Sequence, residues 1–203
     1  MIYTSYKSIA PLIQPGDGIY FQDTSLNPIS KIVSGATHGG PTHSATVRLI
    51  ISGRVQLVED VILRGVNGVQ NTWLDERLED YGHNGNAWWC PISREKRKGF
   101  DWARFYSYIE SAMGRPYDVF GLFEWFARDI VHLDEDNAMF CSAFLCSCWQ
   151  AAGLLPVSID YAAVAPQDLV ELQLYAPLYY QILGTHRELT NWNTRPIPAA
   201  IGK

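Results

Sequence analysis

At 203 residues, 47% hydrophobic and 13% aromatic, the chain has the composition of one globular domain, and its seven tryptophans exclude a disordered polymer. A net charge of −5, with no basic run longer than the REKRK of Arg94 to Lys98, speaks against a nucleic-acid partner and leaves that run as a solvated turn. No stretch of about 18 unbroken apolar residues is there to span a membrane. The first residues lack the basic start and apolar run of a signal peptide, and four cysteines are too few for a disulfide scaffold, so the expected setting is a reducing cytoplasm.

The chain reads as a single domain, 1–203, with strands first and helices later and no linker between them. After the PGDG turn, Gly18 to Gln22 predicts a strand. Ser44 to Ser52 and Val55 to Leu63 predict a hairpin turning at Gly53 and Arg54. Gly68 to Trp73 and Asn86 to Ile92 add strands, with a short helix, LDERLEDY, between them. From Phe100 a helix is expected to present Phe100, Ala103, Tyr106 or Ser107, Ile109 and Met113 on one face and to stop at Gly114. The run Asp118 to Ile130 is apolar nearly all round and predicts a buried helix. Another helix follows over Asn137 to Leu154, closed by Gly153, then a helix start at APQDLVE and a returning strand at LYYQILG.

Three of the four cysteines lie in one stretch, NAMFCSAFLCSCWQAAGL. Zinc needs converging ligand pairs, whereas Cys146 and Cys148, two apart on a helix, point to opposite sides and can form neither a chelate nor an unstrained disulfide. His38 and His43 have ligand-like spacing but no second pair beside them. Cys148 falls in the apolar stripe Phe144, Leu145, Cys148, Trp149, Ala152, and it and Cys146 read as packing. Cys141 differs because it falls in the first turn. Free N–H groups and the positive dipole end of a helix stabilise an anion there and can receive the oxyanion of an acyl-transfer intermediate.

A cysteine nucleophile needs a base, and there are five histidines. His132, His83 and His186 read as capping, turn or surface residues. His43 opens a strong strand, a rigid place from which to aim an imidazole, while His38 sits in the Gly/Pro-rich loop SGATHGGPTH. His43 is therefore the preferred base. Its hairpin partner carries Glu59 and Asp60, and neighbouring strand residues face opposite ways, so one of them faces inward. Ideal pairing sets Glu59 opposite Arg48, and a bulge or bend is needed to bring its carboxylate to His43.

In this order, PGDGIYF, THSATVRL, LVED, MGRPYDVFGLF and FCSAFLCSCWQAAGL resemble the circularly permuted branch of the NlpC-type papain-like cysteine peptidases. That branch includes the YiiX-like proteins and is akin to the lecithin retinol acyltransferase group. The resemblance covers about Gln14 to Leu155 and leaves 156–203 as a C-terminal elaboration. It implies an α+β papain-like fold, an antiparallel sheet packed against helices. It makes Cys141 the nucleophile, His43 the base and Glu59 the orienting carboxylate, with Ser142 beside them on the substrate side. Tyr117 and Asp118 line the cleft or, alternatively, form a turn with Asp118 as helix cap. Ala143 stands where the family tends to have glutamate. The expected reaction is cleavage of an amide bond, in a peptide of cell-wall type, through a thioester and without metal or organic cofactor. Two alternatives stay open. One is a lipid-directed thiol hydrolase or acyltransferase acting on acyl amides or esters, with WW, FEWF and LYYQ lining an acyl groove. The other is a non-catalytic module of a virion or cell envelope, and a phage-encoded origin would give a wall-directed enzyme its exit.

Overall fold

The structure, a computed structural model, describes residues 1–23, 39–117, 140–161 and 164–198. Its frame is a seven-stranded sheet ordered β1-β7-β6-β2-β3-β4-β5. The strands are β1 (Ile2–Tyr3), β2 (Gly18–Asp23), β3 (His43–Ile51), β4 (Arg54–Leu63), β5 (Val66–Trp73), β6 (Gly85–Cys90) and β7 (Tyr180–Leu183). Only β1 and β7 pair in parallel; every other neighbouring pair is antiparallel. The molecule is thus mixed α+β with an open, mostly antiparallel sheet.

Alternation along the central strands divides the core in two. Ile19 and Phe21 of β2 join Ala45, Val47, Leu57 and Trp89 in one buried cluster, completed by α1 (Tyr6–Ile9) and α2 (Leu74–Tyr81). Tyr20 and Trp88 belong to the other, with α4 (Trp102–Ala112), α5 (Cys141–Ala151) and α6 (Pro166–Glu171). Helix α5 is buried on all sides from Cys141 through Trp149, more completely than a one-sided stripe implies. Among the described residues no helix is long and apolar enough to cross a membrane.

Several expectations need correction. The hairpin turns at Ser52 and Gly53, not at Gly53 and Arg54. Both turn residues have positive φ, 51° and 79°, as a two-residue turn matched to strand twist requires, and Ile51 pairs with Arg54. A bulge at Arg48 then shifts the register, so Val47 lies opposite Leu57 and Glu59 is not set opposite Arg48. Helix α4 buries Phe105, Ile109 and Ala112, while Ala103 and Ser107 are exposed. Phe100 lies ahead of the Asp101 N-cap, so it does not share the helix's phase. REKRK is a short helix, α3 (Arg94–Lys98), whose N-cap Ser93 accepts the Lys96 N–H. β7, from the expected elaboration, is an inner strand between β1 and β6. The expected helix over 118–130 lies outside the described residues.

The PGDG turn is fastened by Asp17, which is fully buried. Its carboxylate accepts the N–H groups of Gln14 and Ile92, the Trp89 indole N–H and the Arg97 guanidinium, tying the start of β2 to the end of β6.

Candidate active site

Cys141 is the first residue of α5. The N-cap is Phe140, which has no side-chain acceptor, and no acid lies in the first turn. The positive end of the helix is thus left uncompensated by its own capping residues. The other three thiols are committed to packing. Burial pushes Cys146 up to about 12 and drives Cys90 and Cys148 well above the ordinary thiol range, holding all three neutral. All four cysteines are free.

His43 is the first residue of β3 and is 8% exposed; its ring lies 5.9 Å from that of Phe21. Its Nε2 is 2.5 Å from Glu59 Oε2, so with the carboxylate ionised Nε2–H is the donor. Glu59 leaves Nδ1 as the ring's free nitrogen, and the Cys141 side chain is close enough to act on the imidazole electrostatically. Burial alone would lower the His43 pKa. The charge of Cys141, then the hydrogen bond and charge of Glu59, outweigh it and raise His43 to about 9.

The shifted register explains how Glu59 reaches the ring. Past the bulge Thr46 pairs with Val58, and one step further sets Glu59 across from Ala45. It then shares a face with His43 and lies diagonally from it. The bulge that ideal pairing lacks is present. Glu59 and Asp60 are both fully buried, on opposite faces of β4. Glu59 Oε1 accepts the Thr72 hydroxyl and, at 2.8 Å, the Arg77 Nε–H. Burial would raise its pKa, but the Arg77 charge, followed by the His43 hydrogen bond, holds it down to about 2. Arg77 in turn donates to Asp80 and lies over the rings of Phe21 and Tyr81.

Thr72 and Arg77 were not anticipated from the sequence. A signal for Arg77 existed: three residues after Leu74 and one before Leu78, it falls on the inward stripe of α2. The other proposed site residues fare differently. Ser142 is fully buried and donates to the Val164 carbonyl at 2.6 Å, so its hydroxyl is engaged in anchoring α5. Tyr117 is half-buried at the edge of the sheet, where its N–H donates to Asn67 Oδ1 at 3.1 Å, and it packs against the α4–α5 core. Asp118, His38 and His132 lie outside the described residues. His186 is exposed beside Tyr3. Trp88, Trp89 and Tyr179 are buried core residues, which removes the WW pair and part of LYYQ from any acyl groove; FEWF lies outside the described residues. Among the described residues no cluster of three or more His, Cys, Asp or Glu side chains is arranged to hold a metal ion.

No protein-family model matches the chain, and no curated protein matches it. Among solved structures, it is similar to the metalloprotein yiiX of Escherichia coli O157:H7, a DUF1105 protein. The two are 21% identical with a TM-score of 0.46, over 68% of this chain and 66% of that one, so the match spans just under two thirds of the solved chain.

Proposed function

We propose that this protein is a cysteine hydrolase of the permuted papain-like kind, cleaving an amide bond in a peptide substrate. One observation carries the reading: an imidazole hydrogen-bonded to a buried carboxylate is coupled electrostatically to the thiol that starts a helix. With Nε2–H donated to Glu59, His43 Nδ1 takes the proton of Cys141. The sulfur attacks the substrate carbonyl carbon, and the C=O electron pair moves onto oxygen, facing the open N–H groups of the first turn of α5. Each such donor is worth about 3 to 4 kcal/mol in well-studied cases. As the tetrahedral intermediate collapses, the C–N bond breaks and His43 returns its proton to the leaving amine. A water deprotonated by His43 then attacks the thioester, releasing the acid and restoring the thiol. Glu59 balances the imidazolium in both halves and stays ionised throughout.

The test starts with reactivity. At pH 6, where an ordinary thiol with pKa near 8.5 is almost wholly protonated, iodoacetamide should label Cys141 ahead of Cys90, Cys146 and Cys148, as mapped by peptide mass. His43→Ala should slow that labelling by roughly tenfold or more. Turnover of a peptide-amide panel should vanish in Cys141→Ala. A Cys141 that reacts no faster than free cysteine would favour a binding module over an enzyme.

A further inference from the structure

We infer that Arg77 is a positioning residue of this site: it fastens Glu59 in place and, through Glu59, fixes which ring nitrogen His43 turns toward Cys141. The inference rests on the hydrolase reading for its consequence in turnover, but its geometry stands alone. Glu59 has no exposed surface. A carboxylate so buried takes up a proton unless a cation and donors compensate it. Once protonated it offers His43 a donor instead of an acceptor, and the tautomer that presents a free Nδ1 is no longer selected. Oε2 is occupied by His43, and Thr72 brings to Oε1 a hydroxyl without charge. Arg77 brings the charge, through Nε.

The arginine is held on every side. It is 4% exposed, its Nη1 lies 3.1 Å from Asp80 Oδ2, and its guanidinium lies 5.5 Å from the Phe21 ring centre and 5.2 Å from that of Tyr81. Those two rings stack at 4.7 Å, and Phe21 also abuts His43. Arg77 therefore touches the base's surroundings twice, through Glu59 and through Phe21. Arg54 and Arg64 make the contrast. They pair with Asp75, Glu76 and Asp80 of the same helix, but in open solvent, where such pairs contribute little. The charged and titratable groups facing this chain of contacts are Cys141 from α5, Asp80 and Tyr81 from α2, and Asp23 from the end of β2.

The experiment uses the full chain with Arg77→Met, Arg77→Lys and Glu59→Gln, and it reads the His43 titration by NMR, Cys141 alkylation against pH, and peptide-amide turnover. Arg77→Met should lower the His43 midpoint by about one pH unit or more, slow alkylation at pH 6 on the order of tenfold, and reduce kcat with KM nearly unchanged. Arg77→Lys, which keeps the charge and loses the planar fork, should fall between. In a Glu59→Gln background, Arg77→Met should add nothing, because its path to His43 has been removed. If Arg77→Met does not fold, Thr72→Val, which takes away the other Oε1 donor, should move the His43 midpoint in the same direction by less. A folded Arg77 variant with an unmoved His43 titration, or additive losses in the Glu59→Gln background, would overturn the inference. Should the titration move while no variant or wild type shows turnover, the hydrolase reading fails and the coupling stands.

Discussion

Asp17, in the turn that leads into β2, and Glu59, on β4, are each a buried carboxylate that meets an arginine. Around Asp17 the other donors are two backbone amides and an indole, none of which changes protonation near neutrality. Burial outweighs the Arg97 charge and these hydrogen bonds, and the Asp17 pKa is raised. Around Glu59 one partner is an imidazole, and the arginine's side chain is 5% exposed where that of Arg97 is 16%. There the inner cation prevails and the carboxylate is held down to about 2. The comparison separates a clasp from an electrostatic device: what differs is whether the partners can exchange protons and how deeply the cation is buried.

The clasp breaks most visibly. Asp17→Ala takes the carboxylate from Arg97, which keeps its bond to the Pro15 carbonyl, leaves the Trp89 indole N–H without its acceptor, and unties the entry of β2 from the end of β6. We expect a loss on the order of 3 kcal/mol in chemical denaturation, with Cys141 alkylation unchanged in the fraction still folded. A loss below about 1 kcal/mol, within the reach of a single ordinary hydrogen bond, would show that the turn does not depend on this carboxylate.

The same contrast shows what the sequence made readable. The strands and the helix starting near Cys141 follow from alternation and from the stop at Gly153, because both patterns are local. His43 could be singled out because it opens a strand. The register of Glu59 could not, since it depends on a non-glycine residue, Ser52, adopting positive φ and on a bulge at Arg48, and neither has a compositional mark. Arg77 was hidden for another reason. It sits among Asp75, Glu76, Glu79 and Asp80, where a solvated face is the ordinary reading, and only its phase with Leu74 and Leu78 betrays the inward turn. The insertion of β7 between β1 and β6 is a long-range pairing that no window of sequence contains.

The two carboxylates should also respond to acid with opposite sign. Because the Glu59 pKa is depressed from 4.5 to about 2, its stabilisation is complete above the unfolded value and is lost as pH falls through about 2. Asp17 has a raised pKa, so its contribution is fully present below its unfolded value of 3.8 and is lost as pH rises. His43, raised from 6.5 to about 9, contributes fully below 6.5 and loses that contribution as pH climbs through about 9. In a series of Tm measurements from acid to alkali, Glu59→Gln should flatten the acid limb, an effect of about 3 kcal/mol across it. Asp17→Asn should steepen that limb, since the term that offsets the loss is gone. Acid limbs that change in the same direction in both variants would mean that the two sites are electrostatically alike.

The smallest expected effect sharpens the boundary of the device. Ser142 follows Cys141 directly, yet its hydroxyl donates to the Val164 carbonyl in a fully buried setting. Ser142→Ala removes one neutral hydrogen bond and leaves a carbonyl unpaired, so a stability loss of about 1 kcal/mol is expected in denaturant titration. Alkylation of Cys141 and KM for a peptide amide should stay within twofold of wild type, because the backbone N–H groups that would face the oxyanion do not depend on this side chain. A rise in KM without loss of stability would reverse the assignment and return Ser142 to the substrate side. That outcome would also require α5 to present its first turn differently, since a hydroxyl donated to Val164 has no free proton to offer a substrate.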